Sequence, residues 1–193
     1  MNKLFIASNN EHKINEIKDI LKRNKVEYEI FCPKDFNDHD EPEENGKTFQ
    51  ENAYIKAKYY FDKYKMTTLA DDSGICIDFF DGHPGIHSAR FLSSLNYSDK
   101  NDFIIYLMRD TNNRKATFVD CLCMINENGD VSYYEGKNEG SIAYEQKGSD
   151  GFGYDPIFVI PKYNKTEAEL GQKYKNEHSH RAKALKMWIE DVK

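Results

Sequence analysis

Apolar residues fall into short blocks whose spacing changes along the chain. Residues 3 to 7 form a brief apolar run of strand length. Ser8-Asn9-Asn10 then breaks it, and Ile14, Ile17, Ile20 and Leu21 recur at helical spacing. The chain therefore opens as strand, polar turn and helix. Residues 33 to 47 fill with Pro, Asp, Glu, Asn and Gly, the composition of a surface loop. Thr48-Phe49-Gln50-Glu51 fits a capping box, in which the Thr hydroxyl and the Glu carboxylate each satisfy a backbone N–H at a helix start. Phe49, Ala53, Ala57, Tyr60 and Tyr64 follow on one helical face. Met66 to Ala70 reads as a buried strand ending at Asp71-Asp72-Ser73-Gly74, which places carboxylates at a strand end. Ile75, Ile77 and Phe79 then alternate with Cys76 and Asp78.

Beyond the turn at Asp81-Gly82-His83-Pro84-Gly85, the spacing predicts a helix near 98 to 109 carrying Phe103 and Leu107. Ala116 to Ile125 reads as a long strand, Asn126 to Gly129 as a turn and Val131 to Gly136 as the returning strand, so this half is antiparallel β. Ile157 to Ile160 supplies one more strand. A last helix, Ser179 to Val192, places Ala182, Leu185, Trp188, Ile189 and Val192 on the side that packs against the sheet. With no internal repeat, the pattern describes an α/β fold, a mixed sheet flanked by helices in two lobes, with functional loops lining the cleft between them.

Composition narrows the function classes. The 193 residues suit one domain, or one domain cleft into two lobes. With 39% hydrophobic residues and charges of mixed sign, the chain builds a core rather than staying disordered. The 27 Lys and Arg against 33 Asp and Glu leave a net charge of -6, which argues against a general nucleic-acid binder. No apolar run approaches the roughly 18 residues that a bilayer requires, and the start turns polar too soon for a signal peptide. A cytoplasmic protein with no membrane partner is expected. Cys32, Cys76, Cys121 and Cys123 make no disulfide framework and lack zinc spacing, so they read as buried thiols.

Four segments carry candidate chemistry. Ser8-Asn9-Asn10-Glu11-His12-Lys13 brings hydroxyl, amide and ammonium groups to a helix start that favours an anion, although such junctions also use Ser and Asn as caps. Glu41, Glu43 and Glu44 together with Asp71-Asp72 supply oxygens for a hard divalent cation, or form a solvated loop and a turn. Phe152-Gly153-Tyr154-Asp155-Pro156 sets two aromatics and a carboxylate in a Gly-rich loop, suited to stacking a flat ring or to filling the core. Lys175, His178, His180 and Arg181 form a basic cluster for phosphate or a carbonyl; a His-x-His metal site there lacks a third ligand. Anion site, hard-metal carboxylates, aromatic platform and donors together describe parts of one nucleoside triphosphate, hence a nucleotide phosphohydrolase.

At these segments the chain resembles the inosine/xanthosine triphosphate pyrophosphatase family over nearly its whole length. The resemblance rests on Ser8-Asn9-Asn10-x-His12-Lys13, Glu43-Glu44-x-Gly46-x-Thr48-Phe49-x-Glu51-Asn52-Ala53-x-x-Lys56-Ala57 and Leu69-Ala70-Asp71-Asp72-Ser73-Gly74. It continues through Pro84-Gly85-Ile86-x-Ser88-Ala89-Arg90, Gly151-Phe152-Gly153-Tyr154-Asp155-Pro156-Ile157-Phe158 and Ser179-His180-Arg181-x-x-Ala184-Leu185. It implies an elongated mixed sheet with two α/β lobes around a nucleotide cleft, Mg²⁺ dependence and a homodimer. The implied reaction is attack of water on the α-phosphorus of ITP, dITP or XTP, giving monophosphate and pyrophosphate. By the same resemblance Ser8, Asn9, Asn10, Glu11, His12, Lys13 and Lys56 cradle the triphosphate, Glu43 and Asp72 hold the metal, and Asp72 serves catalysis. Ser73 contacts substrate, Phe152, Gly153, Tyr154 and Asp155 form the base loop, and Lys175, His180 and Arg181 supply donors to the nucleotide and its 6-oxo group. Asp72 as ligand and Asp72 as general base remain rival roles, with Asp71 as the fallback. A related pyrophosphatase of pyrimidine or modified nucleotides and a non-catalytic nucleotide sensor are the competing readings. The chain departs from common family wording at Asn45, His87 and Phe91.

Overall fold

In the computed structural model, which describes residues 2–192, the chain begins as β1 (Lys3–Ile6) and turns at Ser8-Asn9-Asn10 into α1 (Glu11–Arg23). The buried residues of α1 include Ile14, Ile17, Ile20 and Leu21, the face that the spacing predicts. β2 (Glu29–Phe31) is too short to show a period of its own. The acidic stretch opens with a 3-10 turn at Pro33–Phe36 and leads to α2 (Phe49–Tyr64). The Thr48 hydroxyl accepts from the Glu51 N–H at 3.1 Å, as predicted, but the Glu51 carboxylate accepts from the Lys47 N–H at 2.6 Å. The reciprocal half of the capping box is thus displaced by one residue.

β3 (Thr68–Ile77) corrects the sequence expectation most sharply: it runs unbroken for ten residues, with Asp71 and Asp72 inside it. Asp, Ser and Gly are poor strand formers, yet β3 lies between β1 and β4 in the sheet, and pairing overrides local preference. α3 (Tyr97–Leu107) buries Lys100, Asn101 and Ile104, and the expected Phe103 and Leu107 stand 39% exposed on the neighbouring face. β4 (Lys115–Ile125) and β5 (Val131–Ile142) form the predicted hairpin, closed by Asn126 N–H to Asp130 O at 3.0 Å; β5 continues well past Gly136. Ile157 lies in a 3-10 turn ahead of β6 (Phe158–Ile160). β7 (Lys165–Thr166), α4 (Glu167–His178) and α5 (His180–Asp191) complete the chain. Gly171 at φ 80° interrupts α4, which hides its apolar period from the sequence.

Among the described residues seven strands form one mixed sheet in the order β2-β1-β3-β4-β5-β6-β7. Pairing is parallel among β2, β1 and β3 and antiparallel among β5, β6 and β7. The chain divides into two compact units. The first comprises the chain up to Asp72, Asp120–Gly136 and the chain from Arg181; the second comprises Ser73–Val119 and Lys137–His180.

In the first unit β1, β3 up to Asp72 and β4 from Asp120 are buried on both faces, so they read as continuous apolar runs. Leu4, Ile6, Leu69, Leu122 and Met124 meet α1 and, from α5, Ala182, Leu185, Trp188 and Ile189. Phe5, Ala7, Ala70, Cys123 and Ile125 meet Ala53, Ala57 and Tyr60 of α2. The second unit packs Ile75, Ile77, Ile104, Phe118, Ile142, Tyr154, Ile157 and Phe158 together. Cys32, Cys121 and Cys123 are buried as expected, while Cys76 is only half-buried. Among the described residues no helix is long and apolar enough to cross a membrane. Val192, assigned to the buried side of the last helix, is 46% exposed just beyond it. Leu185→Ala should therefore cost about 2–5 kcal/mol in urea unfolding, whereas Val192→Ala should stay within about 0.5 kcal/mol; equal effects would contradict this packing.

Candidate functional site

β1 pairs with β3 only at Thr68 and Leu69, so β3 continues past the end of β1 into the region where parallel strands release their loops. Side chains on a strand alternate between faces. Leu69 faces α1 and α5 and Ala70 faces α2, and the next two residues keep that alternation. Asp71 therefore meets cations from α1 and α5, and Asp72 meets polar groups from α2.

Asp71 Oδ2 accepts from Lys13 Nζ at 2.8 Å and from Arg181 Nη2 at 3.1 Å. Arg181, 1% exposed, also donates from Nη1 to Glu16 at 2.5 Å and lies 3.5 Å from Asp120 Oδ1. Burial pushes the Asp71 carboxyl up, but the charges of Lys13, Arg181 and Lys56 outweigh it and hold the group well below the usual carboxylate range. Asp120 moves the other way: burial, reinforced by the Asp71 charge and opposed by Arg181, holds its carboxyl well above that range. The two carboxyls are thus pushed in opposite directions, Asp71 toward its ionised form and Asp120 toward its protonated form.

On the other face, Asp72 Oδ2 accepts from Asn52 Nδ2 at 3.1 Å, and its Oδ1 lies 3.5 Å from Lys56 Nζ. Lys56 in turn pairs with Glu44 at 2.9 Å. Asn52 Oδ1 accepts from the Gly46 N–H at 2.9 Å, tying the acidic loop to Asp72. A side chain at Gly46 would strike that oxygen at 2.6 Å. Burial, with Glu44 adding, raises the Asp72 carboxyl against the pull of Lys56 and Lys13. Lys56 is raised as well: burial lowers it, but Asp72, Asp71 and Glu44 prevail.

The structure brings Glu44, rather than Glu43, to Lys56 and Asp72; Glu43 is exposed, and its carbonyl accepts from the Asn45 N–H at 3.2 Å. Glu44 and Asp72 converge on one ammonium, which makes a hard-oxygen pair. Among the described residues no three His, Cys, Asp or Glu side chains form a ready cage. Two carboxylates completed by water and phosphate oxygens suit Mg²⁺, so the donor set fits that ion.

The polar turn differs from a bare anion cradle. Asn10 Oδ1 accepts from the His12 and Lys13 N–H groups at 3.0 and 3.3 Å, and Ser8 Oγ accepts from Asn10 N–H at 3.1 Å. Asn9 donates to Glu41 at 2.8 Å, Glu11 pairs with Lys34 at 2.7 Å, and His12 is exposed. The cationic character of the turn rests on Lys13.

In the second unit, Gly151 and Gly153 take φ values of 82° and 68°, which turn the loop so that Asp155 Oδ2 accepts from the Phe152 N–H at 2.8 Å. The same oxygen accepts from buried Lys175 Nζ at 2.7 Å, and that ammonium stands 4.5 Å from the Phe152 ring centre. Phe152 is half-buried. Tyr154 packs inward, its hydroxyl donating to Ser88 O at 2.7 Å and its ring meeting Tyr97 edge-on. The Gly153 carbonyl accepts from Asn101 at 3.1 Å. His180 stacks on Phe118 at 4.7 Å, Ser73 is half-buried on β3, and His178 lies against Tyr174. Of the expected donors, Arg181 is committed to the acidic cluster of the first unit. Glu16, Asn52 and Asp120 were missed as site residues, and Glu44 was named only as one of the acidic-loop oxygens. Asp120 had a signal, a carboxyl inside the apolar run 116–125.

The sequence pattern described as Ham1 family matches residues 4–191. A dITP/XTP pyrophosphatase of Treponema denticola is 42% identical over 188 residues, covering 95% of this chain and 94% of that protein. One from Aquifex aeolicus is 38% identical, covering 99% and 96%. The structure of a HAM1 protein from Coxiella burnetii superposes with a TM-score of 0.89 at 33% identity, covering 100% of this chain and 98% of the other.

Removing the guanidinium takes a buried ion-pair partner from both Asp71 and Glu16, while Lys13 still holds Asp71. Arg181→Ala should lower unfolding free energy by about 3–5 kcal/mol, and Arg181→Lys should recover only part, since a point charge cannot serve three carboxyls. A loss below about 0.5 kcal/mol in urea titration would contradict the network. Asp120 carries an opposite, pH-dependent signature. Its raised folded-state value means the native state binds the extra proton, so its ionisation erodes stability as pH climbs from about 3.9 through that value. Asp120→Asn removes this slope, and the variant should gain on the parent as pH rises from 4 to 8. A constant difference across that range would refute the upward shift of the Asp120 carboxyl.

Proposed function

The chain belongs to the Ham1 family, and from that membership we propose that it hydrolyses the deaminated purine nucleotides ITP, dITP and XTP to the monophosphate and pyrophosphate. The observation that carries the reading is the split of two adjacent carboxylates, Asp71 held ionised by Lys13 and Arg181, Asp72 raised beside Glu44 and Lys56. Such a divergence marks acid–base assignments.

Glu44 and Asp72 would hold Mg²⁺, whose charge polarises the phosphoryl oxygens when bound. Lys13 and Lys56 neutralise the triphosphate, and Ser8 to His12 line the same turn. In the rival role, as general base rather than ligand, Asp72 would orient the water that attacks the α-phosphorus and accept its proton. Ser73, the next residue on β3, contacts substrate. Phe152 stacks on the base, and Lys175 and His180 offer N–H donors to a 6-oxo group. Against adenine the same donors would face an amino group, and sites built on such bonds discriminate by about 10⁴–10⁵. The reading includes a homodimer acting on the cytoplasmic nucleotide pool.

Purified protein with Mg²⁺ and a panel of ITP, XTP, dITP, ATP, GTP, dUTP and dTTP tests this, with products identified. IMP with pyrophosphate is expected from ITP; IDP with phosphate would contradict attack at the α-phosphorus. Preference for dUTP or dTTP would favour a pyrimidine enzyme, and binding without turnover a sensor. Asp72→Asn should lower kcat by about 10²-fold or more with the fold retained; near-normal turnover removes Asp72 from the mechanism. Phe152→Ala should weaken base binding by about 1–3 kcal/mol, and an unchanged KM would contradict stacking there.

A further inference from the structure

Past Ala70, β3 has lost its partner β1, and its backbone on that edge needs other acceptors and donors. Residues 69, 71, 73, 75 and 77 direct their N–H and C=O groups to the same edge. At Leu69 the carbonyl still receives the Ala7 N–H at 2.8 Å. In the second unit the segment 83–88 takes over this duty. Ile77 N–H reaches His83 O at 3.3 Å, Cys76 bridges Pro84, and Ile75 N–H is taken not by a backbone carbonyl but by Ser88 Oγ at 2.9 Å.

That hydroxyl is engaged twice, because it also donates to Gly85 O at 2.6 Å, and Ser88 is only 4% exposed. Its own carbonyl receives the Tyr154 hydroxyl at 2.7 Å. One residue thereby joins the strand directly following Asp72 and Ser73 to the loop that carries Phe152. The fit is tight at Gly74, where a Cβ would meet Gly85 O at 2.2 Å and Ser88 Oγ at 2.5 Å.

We propose that Ser88 is a positioning residue for the reaction, holding the β3 backbone at Ile75 and, through Tyr154, the aromatic loop in one fixed relation. The proposal rests on the nucleotide hydrolysis argued above. Its role is geometric: the hydroxyl replaces a missing strand at Ile75, and the carbonyl anchors the ring next to Gly153. Loss of either arm would let Ser73 and Phe152 shift independently, and misplacement on the scale of an ångström costs a reacting site on the order of 10²-fold.

The experiment compares the parent, Ser88→Ala, Tyr154→Phe and the double variant, with kcat and KM for ITP and Mg²⁺ measured per folded molecule, below the unfolding range. Ser88→Ala should lower kcat by about 10- to 100-fold. Tyr154→Phe, which deletes one hydroxyl and leaves the ring, should lower kcat by a smaller factor. The double variant should lose less than the product of the two, because both act through one residue. A folded Ser88→Ala enzyme with kcat and KM within twofold of the parent overturns the proposal, as do multiplicative losses. Should Ser88→Ala fail to fold, Tyr154→Phe decides: faster hydrogen exchange at the Ile75 amide with reduced kcat supports the coupling, and no change in either overturns it. A parent that turns over none of the panel instead defeats the functional reading, while the Ile75 exchange still reports whether the link exists.

Discussion

Carboxylates buried away from water must be neutralised, and the first unit is organised around that requirement. Glu16, Asp71, Asp72 and Asp120 are each at most 5% exposed. The cations facing them are Lys13, Lys56 and Arg181, and Lys56 is shared with Glu44. Opposite charges among these contacts do not match one for one, so the most deeply buried carboxyl is pushed toward its protonated form. That group is Asp120, fully buried and 3.5 Å from the edge of a guanidinium already engaged twice. Lys13 and Arg181 then balance Asp71 and Glu16. The price is fold stability that depends on Arg181, since a buried ion pair rarely improves on an apolar one yet is costly to break.

The same requirement separates two neighbours in sequence. Alternation along β3 sends Asp71 toward α1 and α5 and Asp72 toward α2, so identical side chains acquire opposite electrostatics. Asp71, with three cations acting on it, is a fixed anion. Asp72, with Asn52 and a shared lysine, retains affinity for a proton. A turn at these residues, as local propensity suggests, would place both at a solvated end and lose the distinction. The chemistry of the site therefore depends on the strand continuing where Asp and Gly disfavour it.

That dependence explains what the sequence reveals. Helices with regular apolar spacing, α1 and α5, and strands buried on both faces, β1 and β4, can be read from periodicity because burial on a defined face writes the pattern. The continuation of β3 is invisible, since it is decided by β4 and by hydrogen bonds from segment 83–88 rather than by its own residues. α4 is hidden by Gly171, and Phe103 and Leu107 mislead because the buried stripe of α3 runs through Lys100 and Ile104. Among the candidate site residues, Asp72, Lys13, Lys56 and Phe152 stand in the blocks that carry the resemblance, and Lys175 in the basic cluster before the last helix. Glu16 and Asp120 sit singly within apolar surroundings, where the useful inference is that a buried carboxyl requires a partner.

The second unit solves a different problem with the same economy of parts. On the proposed function, stacking on Phe152 would give affinity but little choice, because every base has a π-face. Selectivity must come from donors whose positions are fixed before the ligand arrives. Lys175 meets that condition: Asp155 fixes its ammonium at 2.7 Å, and the same oxygen fixes the Phe152 backbone at 2.8 Å. Platform and donor are thus referenced to one carboxylate. On that reading a base lying on the ring would meet this donor, and one presenting an amino group there would find no acceptor. On the proposed function, placing donor and ring on a common anchor would convert a tolerant stacking surface into one that reads the edge of the base.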